Sequence, residues 1–213
     1  MKYKLVIFDW DGTVMDSIAR IVSSLQSAAR IHLVPVPSDG KAKRIIGLSL
    51  PVVMDKLFPD HKALHQTLMQ EYKKQFVNED STDTPLFDGV EALFKKLQYN
   101  GCQLAIATGK SRQGIDRLLS LTGLTDYFVF TQSADEAQSK PSPQMLSQIL
   151  AHTQLAVAEA VMIGDSTLDL EMAQNIGMDS IGVTFGVGER DELATYEPVA
   201  IVDGFSQLEQ YLL

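Results

Sequence analysis

The 213-residue chain is 45% hydrophobic and 21% charged, the proportions of a globular protein, which excludes bulk disorder. Asp and Glu outnumber Lys and Arg 27 to 18, a formal net charge of −9; such a balance repels nucleic-acid backbones and anionic lipid, although a few local cations or a metal can still build one anion pocket. Cys102 is the lone cysteine, which excludes an intrachain disulfide and a cysteine zinc site and leaves a buried, inert thiol as the expectation.

In chain order, the first element is the apolar run Leu5–Phe8, which stops at Asp9-Trp10-Asp11-Gly12-Thr13. A short, continuously apolar run predicts a strand buried on both faces of a parallel sheet. The run also ends too early for a secretory hydrophobic region. No stretch approaches the roughly 20 apolar residues that span a bilayer, so a cytoplasmic protein with no membrane partner is expected.

Residues 14–83 carry no strong strand signal. Helical patterns cover 18–31, 40–46, 52–58 and 61–77, punctuated by Pro35, Pro37 and Pro51, and a polar return linker follows at 78–85. An insertion of about 70 residues is too long for a crossover loop. Residues 15–83 are therefore expected to form an all-helical cap domain inserted into a core made of residues 1–14 and 84–213. Beyond residue 85, apolar runs at 104–107, 128–130, 160–163, 181–183 and 200–202 alternate with helix-period segments at 90–98, 113–121, 143–151, 168–176 and 205–212. That alternation predicts an α/β fold with a doubly wound parallel sheet. There is no internal repeat.

In an open parallel sheet, ligands bind beyond the carboxyl ends of the strands, so the residues that follow each apolar run carry the argument. The first run leads into Asp9 and Asp11, the second into Thr108-Gly109-Lys110-Ser111 and the fourth into Gly164-Asp165-Ser166-Thr167-Leu168-Asp169; Ser139-Lys140-Pro141 lies beyond the third. Four carboxylates, a hydroxyl and a lysine thus meet at one sheet edge. Crowded acids cost free energy unless a cation binds between them. A hard divalent ion, magnesium above all, suits oxygen ligands that a substrate phosphate completes. With that charge in place a carboxylate can attack phosphorus. Asp9, at the strand tip, is the candidate nucleophile. Asp11 is the candidate acid and base, with Gly12 allowing the tight turn. Thr108, the amide at Gly109 and Lys140 are candidates to bind the phosphoryl oxygens. Asp165 is a candidate metal ligand, and Asp169, one helical turn on, is placed to hold Lys140 or a metal-bound water. Gly109-Lys110-Ser111 imitates the end of a nucleotide phosphate loop, but Ala105 stands where the first glycine is required.

These elements, in this order, resemble the haloacid dehalogenase-type hydrolase superfamily: Asp-x-Asp-Gly-Thr at Asp9 to Thr13, Thr108-Gly109, Lys140-Pro141, and Gly-Asp-x-x-x-Asp at Gly164 to Asp169. The resemblance implies a Rossmann-like core, a mobile cap, Mg2+ and an aspartyl-phosphate intermediate. It also implies a metal site made of the Asp9 carboxylate, the Asp11 backbone carbonyl and the Asp165 carboxylate. Within the superfamily, Asp11 argues against dehalogenase and phosphonate-cleaving relatives, which lack the second acid. The segment Arg44-Ile45-Ile46-Gly47, Asp16-Ser17, and the tail Thr184-Phe185-Gly186-Val187-Gly188 resemble the phosphoglycolate phosphatase branch. Arg44 and Gly47 are accordingly candidate cap contacts to substrate. Trp10 stands where leucine is commonest in that branch, so an altered pocket or cap contact is expected there.

The expected activity is a Mg-dependent phosphatase of small phosphate monoesters, phosphoglycolate among them, with a small phosphorylated metabolite as partner and no nucleic acid. The alternatives are a phospho-accepting receiver-like switch module or another superfamily activity, such as a sugar-phosphate mutase, pyrophosphatase or nucleotidase. Receiver modules phosphorylate an Asp on a later strand and need no helical cap.

Overall fold

The computed structural model describes residues 2–213. Its elements run β1 (Leu5–Phe8), α1 (Ile18–Ile31), α2 (Asp39–Lys43), α3 (Leu50–Leu57), α4 (His65–Lys74), α5 (Val90–Tyr99), β2 (Gln103–Ala107), α6 (Arg112–Thr122), β3 (Phe130–Gln132), α7 (Gln144–Thr153), β4 (Ala160–Gly164), α8 (Thr167–Gln174), β5 (Asp179–Val183), α9 (Arg190–Ala194), β6 (Ala200–Val202) and α10 (Phe205–Leu212). All strand pairs are parallel, in the order β3-β2-β1-β4-β5-β6. The chain builds outward from β1 in one direction, then returns to its other side with β4. That reversal puts a topological switch point at the ends of β1 and β4, where the crevice of such a sheet opens.

The pleat sorts the strand residues between two cores, because successive side chains point to opposite faces. Val6, Phe8, Leu104, Ile106, Val161 and Ile163 join α5, α6 and α10 on one face. Leu5, Ile7, Ala105, Ala107, Ala160 and Met162 join α7 and α8 on the other. Both faces are covered, so the runs are continuously apolar rather than alternating. In α5 the buried residues Val90, Leu93, Phe94 and Leu97 follow helical spacing. The Phe94 ring packs 5.0 Å from that of Phe8 and 5.3 Å, edge-on, from that of Phe128. Truncating it opens a cavity among rings that cannot collapse, and Phe94→Ala is expected to cost about 3–5 kcal/mol of stability. Urea unfolding checks this; a cost below about 1 kcal/mol would refute the packing assignment.

Three boundaries differ from the sequence expectation. The third strand begins at Phe130, two residues after the apolar run 128–130 begins, because Phe128 is spent on the Phe94 ring before the ladder starts at Ala105↔Phe130. The expected helix at 61–77 is three pieces: a 3-10 stretch Pro59–Leu64 with His61 outside helical geometry, α4, and a π turn Gln75–Glu79. The segment at 40–46 is helical only to Lys43, and turns follow up to Gly47, whose φ of +97° favours glycine. α9 escapes prediction because only Leu193 of its five residues is buried, too little to show a period.

Helices α1, α3 and α4 and the π turn after α4 bury Ile21, Leu25, Val53, Met54, Leu68 and Phe76 in a cluster of their own, on which Leu168 and Val187 of the sheet side also pack. Trp10 is not in that cluster. It is fully buried in the core on the α5, α6 and α10 face of the sheet, which corrects the cap half of the expected pocket or cap contact. Among the described residues no helix is long and apolar enough to cross a membrane.

Candidate functional site

Parallel register sets the site. Phe8 pairs with Ile106 on one side and Ile163 on the other, so Asp9 is level with Ala107 and Gly164, and Thr108 and Asp165 leave the neighbouring strands one residue further on. The Asp9 amide donates to the Ile163 carbonyl at 2.9 Å and the Thr108 amide to Gln132 at 3.0 Å, so both backbones are held beyond the last ladder pair.

Lys140 reaches in from the loop before α7. Its Nζ lies 2.7 Å from Asp9 Oδ1 and 2.6 Å from Asp169 Oδ1, with all three side chains almost wholly excluded from solvent. Asp169 is fixed in turn by the start of α8: the Ser166 hydroxyl and amide both donate to its other oxygen, at 2.6 and 3.2 Å. The fourth motif is thus a helix N-terminus and a lysine anchor at once. Of the two roles open to Asp169, holding Lys140 is the one present.

Asp165 sits in a cradle of backbone. Thr13 Oγ1 donates to Oδ1 at 3.1 Å, the Val187 amide to Oδ2 at 2.8 Å, and the Gly188 amide to its carbonyl at 2.9 Å. A Cβ on Gly186 would fall 2.0 Å from Asp165 Oδ2, and one on Gly12, where φ is +77°, 2.3 Å from the same atom. Only glycine lets both loops approach this closely.

Carboxylate oxygens of Asp9, Asp165 and Asp169 all come within 4.8 Å of one another. Burial raises Asp9 well above the usual carboxylate range, and Asp169 and Asp165 add to this while Lys140 opposes it. Burial, with Asp169, pushes Asp165 up to about 7. Burial works to lower the Lys140 ammonium, but Asp169 and Asp9 more than reverse that. One buried cation is shared among three buried acids, and Asp9 Oδ1 receives the Lys140 ion-pair contact without a directed hydrogen bond. An all-oxygen donor set with an under-served carboxylate fits a hard divalent cation such as Mg2+. Asp169, with both oxygens already engaged, is the least available of the three.

Asp11 faces different partners. Its Oδ1 accepts from the Ser17 hydroxyl at 2.5 Å and lies 2.9 Å from Lys110 Nζ. Thr108 is buried, and its hydroxyl accepts from the Lys110 amide at 3.2 Å. The cap of the following helix is instead Ser111, which accepts from the Gly114 amide. The helices of residues 18–79 lie against this edge: the Ser49 amide donates to Ser139 Oγ at 2.9 Å, and a Cβ on Gly109 would fall 2.4 Å from the Gly47 carbonyl oxygen. Gly47 is therefore at the site through its backbone. Arg44, at the end of α2, is exposed.

Sequence reading did not single out Lys110, Ser17 or Thr13 as site residues. Thr13 and Ser17 carry family resemblance in the sequence but no assigned role, and Lys110 stands there as one residue of the stretch after the second run and of a failed phosphate-loop match. The available signal was its place: a basic residue two positions beyond a strand-end threonine.

A family model described as haloacid dehalogenase-like hydrolase matches residues 6–183. The protein named probable phosphatase IndB of Dickeya dadantii (strain 3937) is 34% identical over 209 residues, covering 96% of this chain and 91% of that protein. The phosphoglycolate phosphatase of Vibrio vulnificus (strain CMCP6) is 26% identical over 219 residues, 99% and 96% of the two chains. Among solved structures, a haloacid dehalogenase-like hydrolase of Bacteroides fragilis superposes with a TM-score of 0.89 at 28% identity, covering 97% of this chain and all of that one, 100%.

Proposed function

The chain belongs to the haloacid dehalogenase-like hydrolases and is a phosphatase of that family; we propose that it hydrolyses small phosphate monoesters with Mg2+, through a phosphorylated Asp9, in the cytoplasm. Phosphoglycolate is the type of ester proposed, following the phosphoglycolate phosphatase among its relatives. The observation that carries the reading is Asp9 itself, a buried carboxylate at a strand end, 2.7 Å from a buried ammonium and short of hydrogen bonds. Residues 15–83 serve as the cap, with Arg44 and Gly47 as its proposed contacts to the leaving group.

In the first step an Asp9 carboxylate oxygen forms a bond to phosphorus while the bond from phosphorus to the ester oxygen breaks, and Asp11 gives its proton to the departing alkoxide. In the second, Asp11 takes a proton from water, the hydroxide attacks phosphorus, and Asp9 leaves as a carboxylate. Both contacts to Asp11 fall on Oδ1, so Oδ2 is the oxygen assigned to the proton. Thr108 and the Gly109 amide donate to the phosphoryl oxygens, and Lys140 sets a positive charge beside them. Asp169 acts by holding Lys140. The Asp9 and Asp165 carboxylates and the Asp11 backbone carbonyl would hold the magnesium, which would supply charge that neutralises the phosphoryl group. The receiver-like alternative has no use for a cap whose backbone at Gly47 lies against Gly109.

Release of inorganic phosphate from a panel of small monoesters tests this directly, and excess chelator is expected to abolish it. Undiminished turnover in chelator would reject the mechanism. Thermal melts give a second readout. Because Asp165 in the fold stands at about 7, above its unfolded value, the metal-free protein loses stability as pH rises between the two, where the unfolded chain sheds protons first. A cation that takes the proton's place reverses this loss. The rise in Tm on adding Mg2+ is therefore expected to be small at about pH 5 and larger at about pH 8.

A further inference from the structure

We infer that Lys110 is the specificity-determining cation for the leaving group, and that the esters best accepted carry an anionic group, a carboxylate in particular, on the alcohol side. The inference rests on the phosphatase reading above. Two ammonium groups stand among the site acids, and their surroundings differ. Lys140 is wedged between Asp9 and Asp169, with no solvent exposure at its side chain. Lys110 meets one carboxylate, Asp11 at 2.9 Å, and presses its other side on the Phe76 ring, 4.6 Å from the centroid.

An ammonium has three donors, and Asp11 Oδ1 accounts for one. The aromatic face attracts the charge but takes no directed pair from it. Lys110 therefore keeps two donors beyond its carboxylate contact, where Lys140, held between two carboxylates, keeps one. Its side chain is only 10% exposed, so water supplies little of that demand.

Position decides what can supply it. The ester oxygen that receives a proton must come against Asp11, and Lys110 Nζ lies 2.9 Å from that carboxylate. Any alcohol part seated there has the ammonium beside it. Phe76 and Tyr72 close the same region from the cap: Phe76 lies in the π turn that follows α4, and the Asp11 charge adds to burial in raising the Tyr72 hydroxyl. Arg20 also lies over the Phe76 ring, 5.8 Å from its centroid, but its guanidinium donates to the Asp80 carbonyl. The Lys110 ammonium against this aromatic wall favours a short anionic group over a neutral one of equal size, since the neutral group leaves the ammonium unpaired. The chain carries −9 overall, so this local cation, rather than the general field, must attract such a group.

Two esters of matched length test it: 2-phosphoglycolate, with a carboxylate on the leaving group, and ethyl phosphate, with none. With Mg2+ present, the ratio of their kcat/KM values is expected to fall about 10-fold or more in Lys110→Met, and Lys110→Arg is expected to retain part of it. The ratio cancels any loss both esters share because Asp11 has lost its partner. A fall in both rates by the same factor, with the ratio unchanged, overturns the inference and leaves Lys110 as a positioning residue for Asp11. Calorimetric binding of the two esters to Asp9→Asn, with and without Lys110→Met, reads the same discrimination without turnover. Should the parent release no phosphate from either ester, the functional reading fails, and the binding ratio still decides the role of Lys110.

Discussion

Asp9→Asn is expected to lower phosphate release by about a thousandfold or more while leaving the fold intact. The amide has nearly the shape of the carboxylate but offers no anionic oxygen to phosphorus. The substitution also removes a buried charge that the site holds under strain, for burial and two neighbouring acids already raise Asp9. Stability in the metal-free state is therefore expected to hold or rise, the opposite of what loss of a structural residue gives. Phosphate release measured beside a thermal melt checks both halves. Turnover comparable to the parent would dismiss Asp9 as the group that becomes phosphorylated.

Lys140→Met is expected to remove activity and, unlike the first variant, to destabilise the protein by about 3–5 kcal/mol. Methionine fills the volume, but Asp9 and Asp169 are then buried acids without their shared cation, 2.7 and 2.6 Å from where it stood. The cost is expected to grow as pH rises. Lys140 is what holds Asp9 down against burial, so without it the folded carboxylate stands still higher and the unfolded chain deprotonates first across a wider interval. Adding Asp169→Asn to Lys140→Met is expected to restore part of the stability and none of the turnover. Urea unfolding at two pH values, with phosphate release on the same samples, measures this. A pH-independent loss below about 1 kcal/mol would show that the pair is worth no more than a surface contact.

The contrast between Lys140 and Lys110 shows how far residue order carries. Lys140 was legible because Pro141 and its place beyond the third run gave it company that recurs in a known superfamily. Lys110 had only a misleading neighbourhood, Gly109 before it and Ser111 after it. Its importance comes from Asp11, 99 positions earlier by number, and from the Phe76 ring in the inserted helical segment, and no local pattern records either partner. The same holds for Gly186. In the chain it is one glycine of a loop, whereas in the fold its missing Cβ makes room for the Asp165 carboxylate.

Periodicity and strand-end chemistry were enough to place Asp9, Thr108 and Asp165 on one edge, because a parallel sheet aligns the ends of neighbouring strands whatever the intervening chain does. The same reading placed the inserted helices, since a segment with helical spacing and no apolar runs cannot join that sheet. What required the tertiary structure was how elements meet: that Lys140, of the two partners expected for Asp169, is the one it holds, that Trp10 turns into the core, that the helix at 61–77 breaks to bring Phe76 over Lys110. The physical reason is range. Spacing along a chain reports the period of one element and the chemistry at its end, while burial, shared charge and close backbone approach exist only between elements that folding has brought together.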